Sequence, residues 1–180
     1  MHVKTKQLAL SGLLMALSVV CIVMGSIIEF DTLAFLLLAS FISGIVIYEM
    51  KIGIGAMFIA GTFLLGFLLG PNKMYSFTYL AFAGYIWLAE LIYVMVGRAS
   101  SGSEKTVKWS VVIWVLKYIA FNAIFIPCVL LFPELIVGVE LTGMVKFGLI
   151  LAGQVALVVL DMAYNTFIIK FWVPLSKRIA

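Results

Sequence analysis

The amino-acid sequence predicts an all-α membrane protein, a bundle of six transmembrane helices with both termini in the cytoplasm. Hydrophobic residues make up 65% of the chain and charged residues only 11%, whereas soluble domains carry about 25% charged residues. Short polar breaks divide the chain into six apolar runs, and most basic residues lie at one side of these runs. We therefore expect residues 1–180 to form a single integral membrane domain, with no soluble catalytic or nucleic-acid-binding domain.

Each apolar run is long enough to be a membrane span, because a helix rises 1.5 Å per residue and the hydrocarbon core is roughly 30 Å thick. The predicted spans are about 7–28, 32–50, 52–70, 74–96, 109–131 and 146–172. One long polar connection, 98–108, is predicted to be a cytoplasmic linker. The segment 132–145 keeps several apolar residues, and it is predicted to cap the outer mouth of the bundle or to form a short interfacial helix.

The basic residues set the predicted orientation. If the N-terminus is cytoplasmic, nine of the twelve Lys and Arg residues lie inside, two lie outside and Lys117 lies within a span. This asymmetry follows the positive-inside rule, so the net charge of +4 reflects topology rather than nucleic-acid binding. A cleaved signal peptide is the alternative for the first run, but the run is longer than the usual apolar core of 7 to 15 residues.

The sequence predicts no enzyme and no cofactor. The single histidine is His2, and the chain has no phosphate-binding glycine loop, no nucleophile elbow and no cluster with metal-ligand spacing. Cys21 and Cys128 each stand alone in an apolar run, which is typical of small buried hydrophobic residues.

Polar side chains at membrane depth are concentrated in the last three spans: Glu90, Lys117, Asn122, Gln154, Asp161 and Asn165. An ionisable group at this depth costs a few kcal/mol unless it has a partner or a water-filled cavity. The depths predict an intramembrane ion pair in which Lys117 lies between Glu90 and Asp161, with Asn165 completing the hydrogen bonds. Two interpretations stay open: a structural pin that joins the three spans, or the floor of a ligand cavity open to the outside.

The candidate substrate-binding residues are Tyr79, Asn122, Gln154, Asp161 and Asn72. Tyr79 belongs to an aromatic series at helical spacing in span 4, a pattern that usually reflects packing and less often ligand stacking. Asn72 lies in the turn that is predicted to face outside. A pocket of aromatic rings, amides and one acid suits a heterocyclic vitamin, although it suits other small molecules as well.

The first span carries a stripe of small residues. Ala9, Gly12 and Ala16 are separated by three and seven positions, so they share one face of the helix. Small residues allow another backbone to approach closely in the membrane. The sequence therefore predicts that this small-residue stripe is a docking surface for a partner.

Several of these features together resemble a known family. The layout of six spans with cytoplasmic ends, the segment KTKQLAL from Lys4 and the segment GLLMAL from Gly12 resemble the substrate-binding S components of energy-coupling factor (ECF) transporters. The stripe is similar to the Ala-x-x-x-Ala pattern by which those components dock, except that Gly12 replaces the first alanine. The resemblance implies a bacterial plasma-membrane protein that captures a vitamin or similar micronutrient from outside, in a cavity formed chiefly by spans 4 to 6. It also implies three partners, a transmembrane T subunit and two ATPase subunits, on which the S component topples in the bilayer.

Two other functions remain open. A scaffold of the cell-envelope machinery, resembling the rod-shape factor, would need no cavity and would use every buried polar residue as a pin. A gradient-driven carrier or proton pathway would use Glu90, Lys117 and Asp161, and it would need a continuous chain of ionisable residues across the bilayer. The outer half of this chain offers only Gln154 and Asn122 for such a chain.

Overall fold

The computed structural model describes residues 5–28, 31–99, 107–131 and 143–179, and these residues form helices with short connections and no strand. The helices are α1 (Thr5–Ile27), α2 (Thr32–Met50), α3 (Ile52–Leu69), α4 (Lys73–Ala99), α5 (Val107–Leu131), α6 (Gly143–Phe167) and α7 (Val173–Ile179). Five helical segments are long and apolar enough to cross a membrane: Gln7–Ile27, Thr32–Met50, Ile52–Leu69, Lys73–Gly97 and Gly148–Ser176. A shorter apolar stretch, Val111–Pro127, lies within α5. These segments indicate a multi-pass membrane protein.

The chain divides into two compact units, an N-terminal unit of Met1–Ile113 and a C-terminal unit of Trp114–Ala180. The N-terminal unit contains α1 to α4, and each of these helices packs against the other three. Tight connections make consecutive helices antiparallel. Helix α2 is the central one, because ten of its 19 residues are buried.

The connection between α2 and α3 is the single residue Lys51, whose backbone has φ 80° and ψ 160°. Glycine adopts this conformation readily, but a residue with a Cβ atom is strained there. The turn is nevertheless well bonded, because the Lys51 N–H donates to the Ile47 carbonyl at 3.1 Å and the Lys51 carbonyl accepts from the Gly55 N–H at 3.1 Å.

We expect Lys51→Gly to raise the free energy of unfolding by about 1 kcal/mol, because the strain removed exceeds the added flexibility of the unfolded chain. The measurement is the midpoint of unfolding of the purified protein in detergent. Lys73→Gly is a poor control because Lys73 bonds three carbonyls, so Thr5→Gly, at the exposed start of α1, serves instead. A lower midpoint for Lys51→Gly would show that the lysine side chain contributes more than its backbone costs.

The C-terminal unit contains most of α5, then α6 and α7, which are joined by one π-helical turn at Ile168–Trp172. Within that turn the Val173 N–H donates to the Ile168 carbonyl, five residues earlier. Pro174 follows directly and has no N–H to continue the regular ladder, which explains why the register changes here. The helical path therefore continues to Ile179, past the predicted end of the last span at residue 172.

The described helices extend into two segments that the sequence predicted as connections between spans. Residues 98, 99, 107 and 108 of the predicted linker are helical, since α4 ends at Ala99 and α5 begins at Val107. Charged and polar residues can continue a helix beyond the hydrocarbon core, so the change in polarity does not mark the helix end. Helix α6 begins at Gly143, so residues 143–145 of the predicted outer cap are helical, and residues 132–142 lie outside the described residues.

Candidate functional site

The C-terminal unit holds a buried ion pair. The Lys117 Nζ atom lies 2.7 Å from Asp161 Oδ1, and the two side chains are only 2% and 4% exposed. The Asn165 amide donates to the second carboxylate oxygen, Oδ2, at 3.1 Å and to the Asp161 backbone carbonyl at 2.8 Å. Since Asp161 and Asn165 are four residues apart, one face of α6 presents both groups.

This arrangement compensates the carboxylate on both oxygens. Burying an isolated charge costs several kcal/mol, and the cost is offset only when the pair has good geometry and its remaining lone pairs are bonded. Asp161 meets both conditions through Lys117 and Asn165. The predicted contact between Lys117 and Asp161 is therefore present. Asn165 bonds the Asp161 carboxylate rather than the Lys117 ammonium. Glu90 lies in α4, in the N-terminal unit.

Two amide side chains form a second polar contact between α5 and α6. The Gln154 amide donates to Asn122 Oδ1 at 2.9 Å, and the Asn122 amide donates to Gln154 Oε1 at 3.2 Å. Each amide also donates to a carbonyl of its own helix: Asn122 to that of Tyr118, and Gln154 to that of Ile150. The two side chains therefore bond each other in a closed ring that uses all four N–H donors, so a ligand acceptor would bind here only by replacing one of these bonds.

The amide pair and the ion pair lie on the same face of α6. Gln154 and Asp161 are seven residues apart, nearly two full turns, so they are separated by roughly 10 Å along the helix axis. Next to the amide pair, on the side away from the ion pair, α5 and α6 approach closely at Gly153, where an added Cβ atom would collide with the ring of Phe125. The C-terminal unit thus presents two polar contacts with an apolar contact beside them.

The other two candidate substrate residues belong to the N-terminal unit and have structural partners. The Tyr79 side chain is completely buried, and its hydroxyl lies 2.8 Å from Ser43 Oγ. Asn72 is exposed, and its Oδ1 accepts from the Met74 N–H at 3.0 Å, which caps the start of α4. A role for these five residues in substrate binding remains a prediction.

Sequence reasoning missed a set of buried hydroxyl groups in the N-terminal unit, Ser18, Ser43, Thr62 and Ser76, all of them without exposed surface. Serine and threonine are common in membrane helices, where they bond their own backbone. Their sequence signal was present as isolated hydroxyls in apolar runs. The helix spacing alone, however, does not reveal which hydroxyls face one another.

The small-residue stripe of α1 faces away from the rest of its unit. Ala9, Gly12 and Ala16 are all exposed, and no atom lies within 4 Å of a Cβ atom added at Gly12. Ser18 and Ile22, on the opposite side of α1, are fully buried. Ala9 and Ser18 are nine positions apart, which turns the helix by two and a half turns, so the stripe is opposite the packing face.

In the part of the chain that the structure describes, no group of three or more His, Cys, Asp or Glu residues is placed to hold a metal ion. The Cys21 thiol is buried and free. Comparisons with protein-family models, with curated proteins and with solved structures found no match for this chain.

Proposed function

We propose that this protein is the substrate-capture subunit of an ECF-type importer for a vitamin or similar small micronutrient. In this proposal six spans cross the plasma membrane of a bacterium with both termini in the cytoplasm. The chain hydrolyses nothing itself. It docks on a T subunit and two ATPase subunits through Ala9, Gly12 and Ala16.

The observation that carries the proposal is the exposure of the small-residue stripe on α1. A helix that packs on its neighbours usually directs its small residues toward them, because small residues allow close backbone approach. Here α1 uses Leu14, Ser18 and Ile22 for internal packing and leaves Gly12 with open space beside it. An exposed small-residue stripe allows a helix of another protein to approach closely in the membrane. The resemblance to S components suggests that this protein is the T subunit.

The polar contacts of the C-terminal unit support a ligand site as the second part of the proposal. Asn122 and Gln154 are half-buried, so their donors and acceptors are closer to the surface of the unit than the ion pair is. An amide pair can exchange one internal bond for a bond to a ligand carbonyl or ring nitrogen. Lys117 and Asp161, which are fully buried, would then support this region rather than contact the ligand.

The capture function is tested by purifying the protein without added ligand and identifying co-purifying small molecules by mass spectrometry. We expect one small molecule in a fixed ratio to the protein. We also expect its amount to fall at least tenfold in the Asn122→Leu/Gln154→Leu double variant, which replaces the amide contact with an apolar one. A protein that is folded and empty under all purification conditions would contradict the capture function.

The docking surface has its own test. We expect Gly12→Trp/Ala16→Trp to abolish co-purification of the T and ATPase subunits, and uptake with it, because two indole rings would fill the stripe. Binding of the co-purified molecule should be unchanged, since both positions are exposed. Leu68→Trp, on an exposed position of α3, is the control and should leave assembly intact. If ligand binding falls as well, the stripe packs within the protein and is no docking surface.

A structural scaffold is the second candidate, because the described polar side chains of α5 and α6 bond one another. The Lys117–Asp161 and Asn122–Gln154 pairs need no ligand to be satisfied. A scaffold predicts that the Asn122→Leu/Gln154→Leu variant retains full activity in cells, whereas the capture function predicts loss of uptake.

A further inference from the structure

The centre of the N-terminal unit contains hydroxyl groups that lack hydrogen-bond partners. Ser18 Oγ, Thr62 Oγ1 and Ser76 Oγ are buried and make no hydrogen bond in the described structure. Buried polar groups are almost always bonded to protein or to ordered water. Three such oxygens in one unit therefore require a physical explanation.

Several other serine and threonine hydroxyls in the helices of this chain bond a carbonyl of their own helix. Six of them donate to a carbonyl three or four residues earlier in their own helix: Ser11, Ser26, Ser40, Ser43, Thr78 and Ser176. That bond is available to most serines and threonines in a helix. Ser18, Thr62 and Ser76 do not make it, so their hydroxyl groups are directed away from their own backbone.

The three hydroxyls belong to helices that meet at one place. A Cβ atom added at Gly66 of α3 would lie 3.0 Å from the Ile22 side chain of α1 and 3.4 Å from Ser76 Oγ of α4. Ser18 is one turn before Ile22, and Thr62 is one turn before Gly66. Because α1 and α3 run in the same direction, Ser18 and Thr62 lie in the same layer, roughly 6 Å along the axis from Gly66.

The remaining two helices contribute to that layer as well. Helix α4 runs antiparallel to α1 and α3. Tyr79, three residues after Ser76, is therefore displaced from Ser76 toward the layer that contains Ser18 and Thr62. The Tyr79 hydroxyl bonds Ser43 of α2 at 2.8 Å. The Thr62 hydroxyl is a second neighbour of Tyr79, although the two groups do not meet the geometry of a hydrogen bond. Each helix of the unit thus supplies one hydroxyl group to a single layer near the middle of the bundle.

We propose that this layer is a binding site for ordered water, which bridges Ser18 and Thr62 to the Tyr79–Ser43 pair. A buried water needs two to four polar partners, and the layer supplies them without any charged group. None of these side chains exposes surface, so the water is sealed from lipid. The bridged layer joins all four helices and fixes their register, as interhelical polar contacts do in membranes.

The first test is the nearly isosteric change Thr62→Val, which removes one partner of the water and keeps the packing. The expected result is a fall of about 2–4 °C in the melting temperature in detergent. Ser40→Ala is the matched control, because the Ser40 hydroxyl bonds only the Leu37 carbonyl of its own helix among the described contacts. An unchanged or higher melting temperature would overturn the proposal, since a dry layer gains stability when an unbonded hydroxyl is removed.

The second test uses the unmodified protein and so does not depend on the folding of a variant. In phosphatidylcholine vesicles, magnetisation transfer from water in solid-state NMR should reach the Tyr79 ring and the Thr62 side chain, but not Leu36, which is equally buried. The absence of transfer to Tyr79 and Thr62 would overturn the proposal even if Thr62→Val lowers the melting temperature. In that case a direct bond between Thr62 and Tyr79 would explain the loss of stability.

Discussion

Asp161→Asn is expected to lower the free energy of unfolding by about 3–5 kcal/mol, because it leaves the Lys117 ammonium buried without its carboxylate partner. The ammonium is 2.7 Å from Asp161 Oδ1 in a side chain that is 2% exposed. It therefore cannot turn to water without displacing its surroundings. The measurement is reversible unfolding of the purified protein in mixed detergent micelles.

Two further variants separate the loss of the pair from other effects of the substitution. Asp31→Asn, on an exposed aspartate in the connection before α2, should change stability little. The double variant Lys117→Met/Asp161→Asn should recover most of the loss, because it removes the buried ammonium and puts an apolar side chain of similar length in its place. A loss below about 1 kcal/mol for Asp161→Asn alone would mean that the ammonium has another sufficient partner.

Gly55→Ala is expected to destabilise the N-terminal unit by about 1–3 kcal/mol, the usual cost of overpacking a tight contact. An added Cβ atom at Gly55 would collide with the Ile47 side chain and would lie 3.2 Å from the Ile47 Cα atom. A backbone atom cannot move aside as a flexible side chain can. Helices α2 and α3 would therefore have to separate at the start of α3, next to the strained residue Lys51.

Gly53→Ala provides a matched control in the same turn of α3. No atom lies within 4 Å of a Cβ atom added at Gly53, so alanine should stabilise the helix there by up to about 1 kcal/mol. The two variants have the same composition and differ only in which side of α3 carries the methyl group. Equal melting temperatures for the two would contradict the close α2–α3 contact.

The membrane helices were largely predictable because length and hydropathy are properties of a single segment. The predicted spans 32–50 and 52–70 correspond closely to α2 and α3. The helix ends were less predictable than the spans, because α4 and α6 continue past the change in polarity at the end of α4 and the start of α6. Since a helix leaves the hydrocarbon core before it ends, no local signal in the sequence marks its last turn.

The candidate site was predictable in part. The depth of Lys117 and the spacing of Asp161 and Asn165 on one helix were sufficient to predict a contact between Lys117 and Asp161, which the structure shows at 2.7 Å. The sequence did not predict that Asn122 would bond Gln154, because each was interpreted as a separate ligand-facing amide. The position of a side chain on its own helix does not determine the rotation of the neighbouring helix.

What the sequence determined by itself is the class of protein: an α-helical chain whose segments are apolar enough to cross a membrane several times, with few polar groups at depth. The tertiary structure decided which of those groups meet. It paired Lys117 with Asp161, and it brought hydroxyls from four helices into one layer. The physical reason is that hydropathy acts on each segment separately, whereas a hydrogen bond between helices depends on their relative rotation and separation.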